Sequence, residues 1–531
     1  MTYSASYQVR QIPNLATGLN NADDASEILD TDVSDMKNIE VDSKSIVSAA
    51  GYVDYGTTTG NPYWGIFNAR FSSGTERMIR QRGTRLEYDN GSGTWTTCTL
   101  PTSGSPAATI TLTQVGCSFA MLNDIILWSN GTDSTMKSSD GITWTIPTYG
   151  SPAQGLPKAR VLFNNGLNRI IFTAIPTEPA KAYWSDINDP TNIGTSAFQV
   201  FGFNDGQDIQ DTVLMPNGAQ LLNKTNRFYQ ISDITLDTVS TDPIGEAPCV
   251  RYTAVATENS AMWAGPDGKI YEFDGAIARC ISNNIAPLMV TKPVSMRATY
   301  HNRKYRLAVP DGSNDYNSYE YVVHRDVPTG DPNNPYVITK NQRYIGCYGK
   351  EDREVSGIRR SRVYFGDSRN VAEGSPAAIP GVFAWINQEH DTSVTQGLAG
   401  AAQDCYFITK FFTESKGSSF VKRFVKYFID LKATEDQTIA VCYRYDPFEE
   451  FTCFNIMTEA AELDWQYDNG ETGSWSEGYG WSASATDRSF KDLENTGTEP
   501  RGIQFKVSWS NVNDVEILSQ AYKFLTSPNF R

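Results

Sequence analysis

The chain has 531 residues, 12% aromatic and 20% charged, so it exceeds one ordinary core and is too apolar for general disorder. Its 61 acidic against 45 basic side chains leave a net charge of −16, which excludes a tight nucleic-acid binder that grips with a basic face. No apolar run is long enough to cross a bilayer as a helix, and the first residues lack the basic and apolar regions of a secretion signal.

Residues 1–50 are polar and acidic, nearly free of aromatics after Tyr7. They read as an extended N-terminal arm with a short helix around Ser34–Ile39, followed by a closing strand near Ile46–Tyr55. Over residues 51–400 one pattern recurs: an apolar strand, a Gly/Asn/Asp turn, then a strand ending in an aromatic. Arg85-Leu-Glu-Tyr-Asp-Asn-Gly-Ser-Gly-Thr-Trp95 and Met262-Trp-Ala-Gly-Pro-Asp-Gly-Lys-Ile-Tyr-Glu-Phe-Asp-Gly275 are instances, the latter a hairpin with an Asp-Gly turn. The landmarks Trp95, Trp144, Trp184, Tyr229, Phe273, Tyr321 and Trp385 stand 49, 40, 45, 44, 48 and 64 residues apart. A period in the mid-forties with short strands predicts a β-propeller of six to eight blades, with an insertion at Asp326–Asn334 and the strand after the arm completing the last blade.

Residues 401–531 change character. Val421, Val425, Tyr427, Ile429 and Leu431 alternate on one strand face, interrupted by Arg423. Ile439, Val441, Tyr443 and Tyr445 do the same, as do Ile503, Phe505, Val507 and Trp509. Such one-face-buried antiparallel strands predict a separate C-terminal β-sandwich, with residues 465–490 a surface loop. The fold class is therefore all-β throughout. Eight cysteines (Cys98, Cys117, Cys249, Cys280, Cys347, Cys405, Cys442, Cys453) stand singly, which predicts free, largely buried thiols and no zinc site.

No chemistry-bearing constellation emerges. Ser138-Ser-Asp-Gly-Ile-Thr-Trp144 resembles the Asp-box turn of sialidases, a structural device in which Asp binds turn amides and Trp packs beneath. The arginine trio and acid/Tyr nucleophile set of that family find no motif here. There is no GxSxG elbow, and Gly268-Lys269 and Gly349-Lys350 lack the rest of a phosphate loop. His301, His324 and His390 lie far apart and read as surface or hairpin residues. The oxygen-rich loops Asp311–Ser318 and Asn204–Asp208 do not match an EF-hand and read as polar turns. The basic clusters Arg353, Arg359, Arg360, Arg362 and Lys422, Arg423, Lys426 read as solvated strand faces, with docking to an acidic neighbour the functional alternative. No catalytic, cofactor-binding or metal-ligating residue is expected.

Several passages, in order, resemble the tail hub and nozzle proteins of short-tailed bacteriophages. They are Leu15-Ala-Thr-Gly-Leu-Asn-Asn-Ala-Asp-Asp-Ala-Ser-Glu-Ile-Leu29, Asp35-Met-Lys-Asn-Ile39 and Ile46-Val-Ser-Ala-Ala-Gly-Tyr52, where the family has a "GG-L-N" arm, a "D-x-x-N" turn and an "R-x-G" triplet. Thr17 and Ala49 replace the usual Gly and Arg. Ala182-Tyr-Trp-Ser-Asp-Ile-Asn-Asp-Pro190, Phe203–Ile209, Val363-Tyr-Phe-Gly-Asp-Ser368 and the stretch from Thr409 through Lys422-Arg-Phe to Asp430 are similar to later family segments.

The resemblance implies a propeller with an added β-domain, in a homo-oligomeric ring, commonly of six copies, around a DNA channel beneath the portal and adaptor. It implies a virion tail protein assembled in the host cytoplasm, contacting tail fibres, letting DNA pass without specific binding, and carrying no catalytic residues or cofactor. The acidity fits a lumen that DNA slides through, and equally fits simple solubility. The alternative is a carbohydrate-binding or carbohydrate-degrading propeller of a phage tail, with Trp475, Tyr479 and Trp481 stacking on sugar rings.

Overall fold

The computed structural model describes residues 6–528 apart from 13–16, 43–44, 50, 57–60, 90–92, 104–107, 151, 204, 237–241, 286–294, 313, 356–357, 370–382, 387–403, 414–419, 434–437, 458–485, 494–501 and 511–514. Its regular elements are 42 β-strands, with no α-helix among the described residues. The protein is all-β.

The short helix expected around Ser34–Ile39 is instead a strand, Asp32–Lys37, followed after Asn38 by another, Ile39–Asp42. A helix that short has too few internal hydrogen bonds to offset nucleation, whereas the sheet supplies partners on both sides. Gly18–Leu19 pairs with it in parallel and Asp404–Thr409 antiparallel, burying Val33 and Met36.

Apart from the two-stranded ribbons Thr102–Ser103 with Ala108–Thr109 and Thr148–Tyr149 with Gln154–Gly155, residues 52–386 make seven sheets in chain order, the sixth of which continues beyond this segment. The first holds Tyr63–Arg70, Glu76–Arg82, Arg85–Asp89 and Thr96–Thr97; the second Ser118–Leu122, Ile125–Ser129 and Met136–Ser138. The third holds Val161–Asn164, Ile170–Thr173, Lys181–Trp184 and Phe198–Val200; the fourth Ile209–Leu214, Gln220–Lys224 and Phe228–Ile231. The fifth holds Val255–Ala256, Ala261–Ala264, Ile270–Phe273 and Ala278–Cys280, and the sixth begins Arg297–His301, Lys304–Pro310, Asn317–Asp331, Asn334–Gln342. The seventh holds Ile345–Val355, Ile358–Asp367 and Phe383–Ile386, and takes Tyr52–Asp54 from the start of the chain as its fourth strand. First strands of successive sheets touch in chain order, and that of the seventh touches that of the first.

The pattern of the fifth sheet shows how the sequence builds each unit. Ala261–Ala264 and Ile270–Phe273 pair around the turn Gly265–Lys269, where Gly268 takes φ 75°, and rather than alternating they are buried almost throughout. Trp263 is fully buried against the fourth sheet, with Phe228 and Phe273 nearby. Burying each such side chain stabilises the fold by roughly 1.5–3 kcal/mol. Trp128 and Trp144 similarly close the interface between the first and second sheets.

The aromatic landmarks do not all mark one strand position. Trp184, Tyr229, Phe273, Tyr321 and Trp385 lie on third strands, whereas Trp95 and Trp144 follow the third strand of their sheets. That difference of phase accounts for the short interval of 40 between Trp144 and Trp184. The insertion expected at Asp326–Asn334 is the outer end of the long hairpin Asn317–Asp331 with Asn334–Gln342.

Where a separate C-terminal sandwich is expected, two sheets pack together, and their strands cross the expected boundaries at 50 and 401 repeatedly. One sheet runs Ile39–Asp42, Ser45–Ser48, Val515–Pro528, Phe420–Ala433, Thr486–Asp492, with Ser6–Ile12 also pairing Val515–Pro528. The other is the sixth sheet itself, extended through Gly18–Leu19 and Asp32–Lys37 to Asp404–Thr409, Gln504–Ser510, Thr438–Arg444 and Thr452–Met457. Ten strands thus form one hydrogen-bonded sheet. Between the two layers Tyr427 and Phe505 lie 4.5 Å apart, with Phe424 stacked on Tyr445 at 5.8 Å.

Ile439, Val441, Tyr443, Tyr445, Ile503, Phe505, Val507 and Trp509 are buried as their alternation requires. On Phe420–Ala433 a bulge between Phe424 and Lys426 turns Phe424, rather than Val425, into the core beside Tyr427, Ile429 and Leu431. The side chains of Val421 and Arg423 lie outside the described residues. Of the expected loop 465–490, residues 486–490 belong to a strand and the remainder is outside the described residues.

One cysteine expectation is corrected. Cys442 and Cys453 form a disulfide, being directly opposite on adjacent antiparallel strands with Cα atoms 3.9 Å apart. A pairing set by strand register leaves no sequence motif. The other six are free, and all but Cys280 are buried.

Candidate functional site

Most sequence candidates resolve into structural roles. Asp140 accepts hydrogen bonds from the amides of Ile142 and Thr143 at 2.8 Å each, Ser138 Oγ accepts from Gly141 N, and Trp144 is buried beneath. These bonds hold the Asp140 carboxyl below the usual carboxylate range, against its partial burial. Within Asn204–Asp208, Asp205 receives the fully buried Lys224 Nζ at 2.7 Å, so this oxygen-rich loop answers a cation of the chain itself. Asn317, at the end of the Asp311–Ser318 loop, donates to Ser295 O at 2.8 Å. No group of three or more His, Cys, Asp or Glu suited to a metal occurs among the described residues.

His301 sits at a hairpin end, but His324 is core rather than surface. Its Nε2 lies 2.9 Å from Thr339 Oγ1, and burial pushes its pKa down to about 3 despite Glu40. His390 lies outside the described residues, as do Trp475, Tyr479 and Trp481. Arg353, Arg359, Arg360 and Arg362 share the hairpin Ile345–Val355 with Ile358–Asp367, where Arg359 faces Glu354 and Arg362 faces Glu351 in register. The side chains of Arg353, Arg359, Arg360, Lys422 and Arg423 are outside the described residues. Lys269 donates to Ile285 O at 2.8 Å, and Lys350 lies exposed on the strand Ile345–Val355.

What sequence reading missed is a cavity of about 300 Å³ where the first strands begin. Residues at or next to the starts of the first strands in six sheets line it, including Arg160, Arg251, Tyr252 and Arg297. Arg251 and Arg297 are more than nine-tenths buried and Arg160 is half-buried. Burial lowers both Arg251 and Arg297, and for Arg251 the charges of Arg160 and Arg297 push the same way. Tyr252 holds the group together: its hydroxyl lies 2.9 Å from the carbonyls of both Gly116 and Arg160, and Arg297 sits over its ring at 4.4 Å. Its backbone takes φ 63°, uncommon for a bulky residue and a mark of a conformation imposed by its surroundings.

Asp211 stands behind the arginines, its carboxylate accepting from Ala254 N and Thr212 N. Burial raises its pKa to about 6, partly offset by those amides and by Arg251. Burial also raises the thiols of Cys117 and Cys347, the latter to about 12, so neither supplies a thiolate near neutral pH. The chemistry on offer is recognition of negative charge. Arg160, Arg251 and Arg297 are separated by 91 and 46 residues, so no local spacing betrays them. The available signal was positional and partial: Arg160 immediately precedes a first strand and Arg297 opens one, while Arg251 stands four residues before Val255.

No family model matches the chain, and no curated protein matches it. Solved structures with similarity include the catalytically inactive virginiamycin B lyase from Staphylococcus aureus with quinupristin, at 9% identity and TM-score 0.38, covering 63% of this chain and 98% of that one. BBS1N in complex with ARL6DN aligns at 7% identity and TM-score 0.37, over 64% of this chain and 98% of that one. The computationally designed Ika8 protein aligns at 8% identity and TM-score 0.34, over 63% and 99%. Likeness at this level carries no argument.

Proposed function

We propose that the chain is a non-enzymatic structural subunit of a bacteriophage tail, a hub or nozzle component, in which a seven-bladed propeller is fused rigidly to a β-sandwich. The blade count rests on seven consecutive sheets whose first strands adjoin in order, with Tyr52–Asp54 closing the last. The observation that carries the structural reading is the ten-stranded sheet, which runs from the sixth blade through the arm into the sandwich. A conduit under the pressure of leaving DNA needs domains that do not swing, and a continuous ladder backed by buried ion pairs resists hinge motion.

The junction is held by charge as well as by strands. Arg306 pairs with Glu320 at 3.1 Å and with Glu40 of the arm at 3.5 Å, Lys304 also pairs with Glu40, and Arg343 meets Glu320 at 2.8 Å. The residues of the family resemblance have matching physical roles. Asn38, the last residue of the "D-x-x-N" turn, takes φ 55° and stitches three segments: its side chain accepts from Gln342 N at 2.7 Å and donates to Asp404 O at 3.0 Å. Ser185 of Tyr183-Trp-Ser-Asp186 accepts from Ile170 N. Under this reading the chain forms a ring, commonly of six copies, bears fibres and adjoins a portal or adaptor.

Immunogold microscopy of intact and mildly disrupted phage particles tests it. Label at the tail supports the assignment; particles that stay bare after disruption remove it. The carbohydrate-directed alternative draws support from the arginine-lined cavity alone.

A further inference from the structure

Arg160, Arg251 and Arg297 place three permanent positive charges around one cavity, against the single carboxylate of Asp315 among the described residues of its wall, in a chain whose net charge is −16. Among the described residues neither Arg160 nor Arg251 has an ion-pair partner; Arg251 Nη2 reaches only the neutral Gln210 Oε1, at 3.0 Å. Arg251 Nε and the indole Nε1 of Trp64, on the same cavity wall, are buried donors with no partner. Clustered, partly desolvated cations and unpaired donors raise the energy of the apo protein unless a bound acceptor relieves them. The backbone makes room for this cluster, since a β-carbon at Gly116 would collide with Arg297 Nη2 and one at Gly131 with the stem of Arg160.

The cavity also bounds the ligand's size and remaining chemistry. At about 300 Å³ it is far larger than a bare oxyanion and lies at the small end of organic ligand sites. Trp64, Tyr252 and Tyr316, all partly exposed, contribute rings to the wall, surfaces suited to the apolar face of a pyranose. From this geometry we infer that the cavity binds an acidic monosaccharide unit of the uronate class, its carboxylate held by the three arginines and its ring against the aromatic wall. This deepens the carbohydrate-binding alternative without requiring turnover, and a tail subunit could carry such a site.

The test is calorimetric titration of the full-length protein with glucuronate and galacturonate, against glucose and inorganic phosphate. Binding of a uronate with none of glucose is expected, and the doubly substituted R160Q/R251Q protein should lose about tenfold or more in affinity. Arg160 is half-buried, so the single R160Q variant serves if the double variant fails to fold. No uronate binding overturns the inference, and so does phosphate binding as tightly as uronate, which would mark a bare anion site. Tail labelling without uronate binding leaves the structural assignment standing and removes only this inference; uronate binding with bare particles does the reverse.

Discussion

The seven small sheets and the arm-plus-sandwich region are built by opposite strategies. Within the small sheets nearly every strand pairs with its neighbour in sequence, as Met262 with Glu272, or Ile126 with Ser138. In the other region Ser6 faces Thr526 and Lys37 faces Tyr406, partners hundreds of residues apart. Local pairings cost little loop-closure entropy and leave turn signatures; distant ones cost more and leave only alternating strands. The lesson is that the ring can be assembled unit by unit, while the sandwich cannot form until both ends of the chain are present.

The sharpest way to break this contrast is Glu40→Ala. Glu40 is the arm's buried anchor to Lys304 and Arg306, and its removal takes that carboxylate from Lys304 and leaves Arg306 with Glu320. A loss of about 3–5 kcal/mol in denaturant unfolding is expected, with the sandwich melting before the ring. An unchanged midpoint would mean that the arm is not a structural tie.

Gly366→Ala probes the ring at its seam. A β-carbon there would run into the Tyr63 side chain, where the seventh sheet meets the first. Overpacking should cost about 1–3 kcal/mol, read as a lower melting temperature with the near-UV signal of the ring affected first. Full wild-type stability would show that the seam has slack.

His324 lies at the junction and gives a pH test. Its folded pKa is depressed to about 3 from an ordinary 6.5, so the unfolded chain takes up a proton that the folded one refuses. Stability therefore falls as pH drops through the window from 6.5 toward 3, by up to about 1.4 kcal/mol per pH unit from this group. The surrounding Glu40, Lys304 and Arg306 are common to both proteins compared, so His324→Gln should flatten the difference in slope. Identical slopes would place the acid sensitivity elsewhere.

The smallest effect belongs to the most local device. Asp140→Ala removes the acceptor for two turn amides and should cost about 1 kcal/mol in thermal unfolding, with no change in the sandwich. A larger loss, or one shared by the sandwich, would show that even this hairpin is coupled to the whole.

Legibility follows the same division. The Asp140 turn and the alternation of Ile503, Phe505, Val507 and Trp509 could be read directly, because turn chemistry and period-two burial act over a few residues. Residues around Ser34–Ile39 carry a helical pattern, and the strand Asp32–Lys37 leaves no local sign because its partners, Gly18–Leu19 and Asp404–Thr409, are not beside it in sequence. The bulge that exchanges Val425 for Phe424 also left no local mark.

The all-β character, the hairpin units of the ring and the burial faces of Thr438–Arg444 and Gln504–Ser510 are legible in the sequence. These follow from side-chain period and turn residues acting on adjacent backbone. Tertiary structure alone decided that the arm's strands join the C-terminal sheets, that Cys442 meets Cys453, and that Arg160, Arg251 and Arg297 converge on one cavity. Each depends on sheet register and order bringing remote residues together, and short-range chemistry carries no record of that.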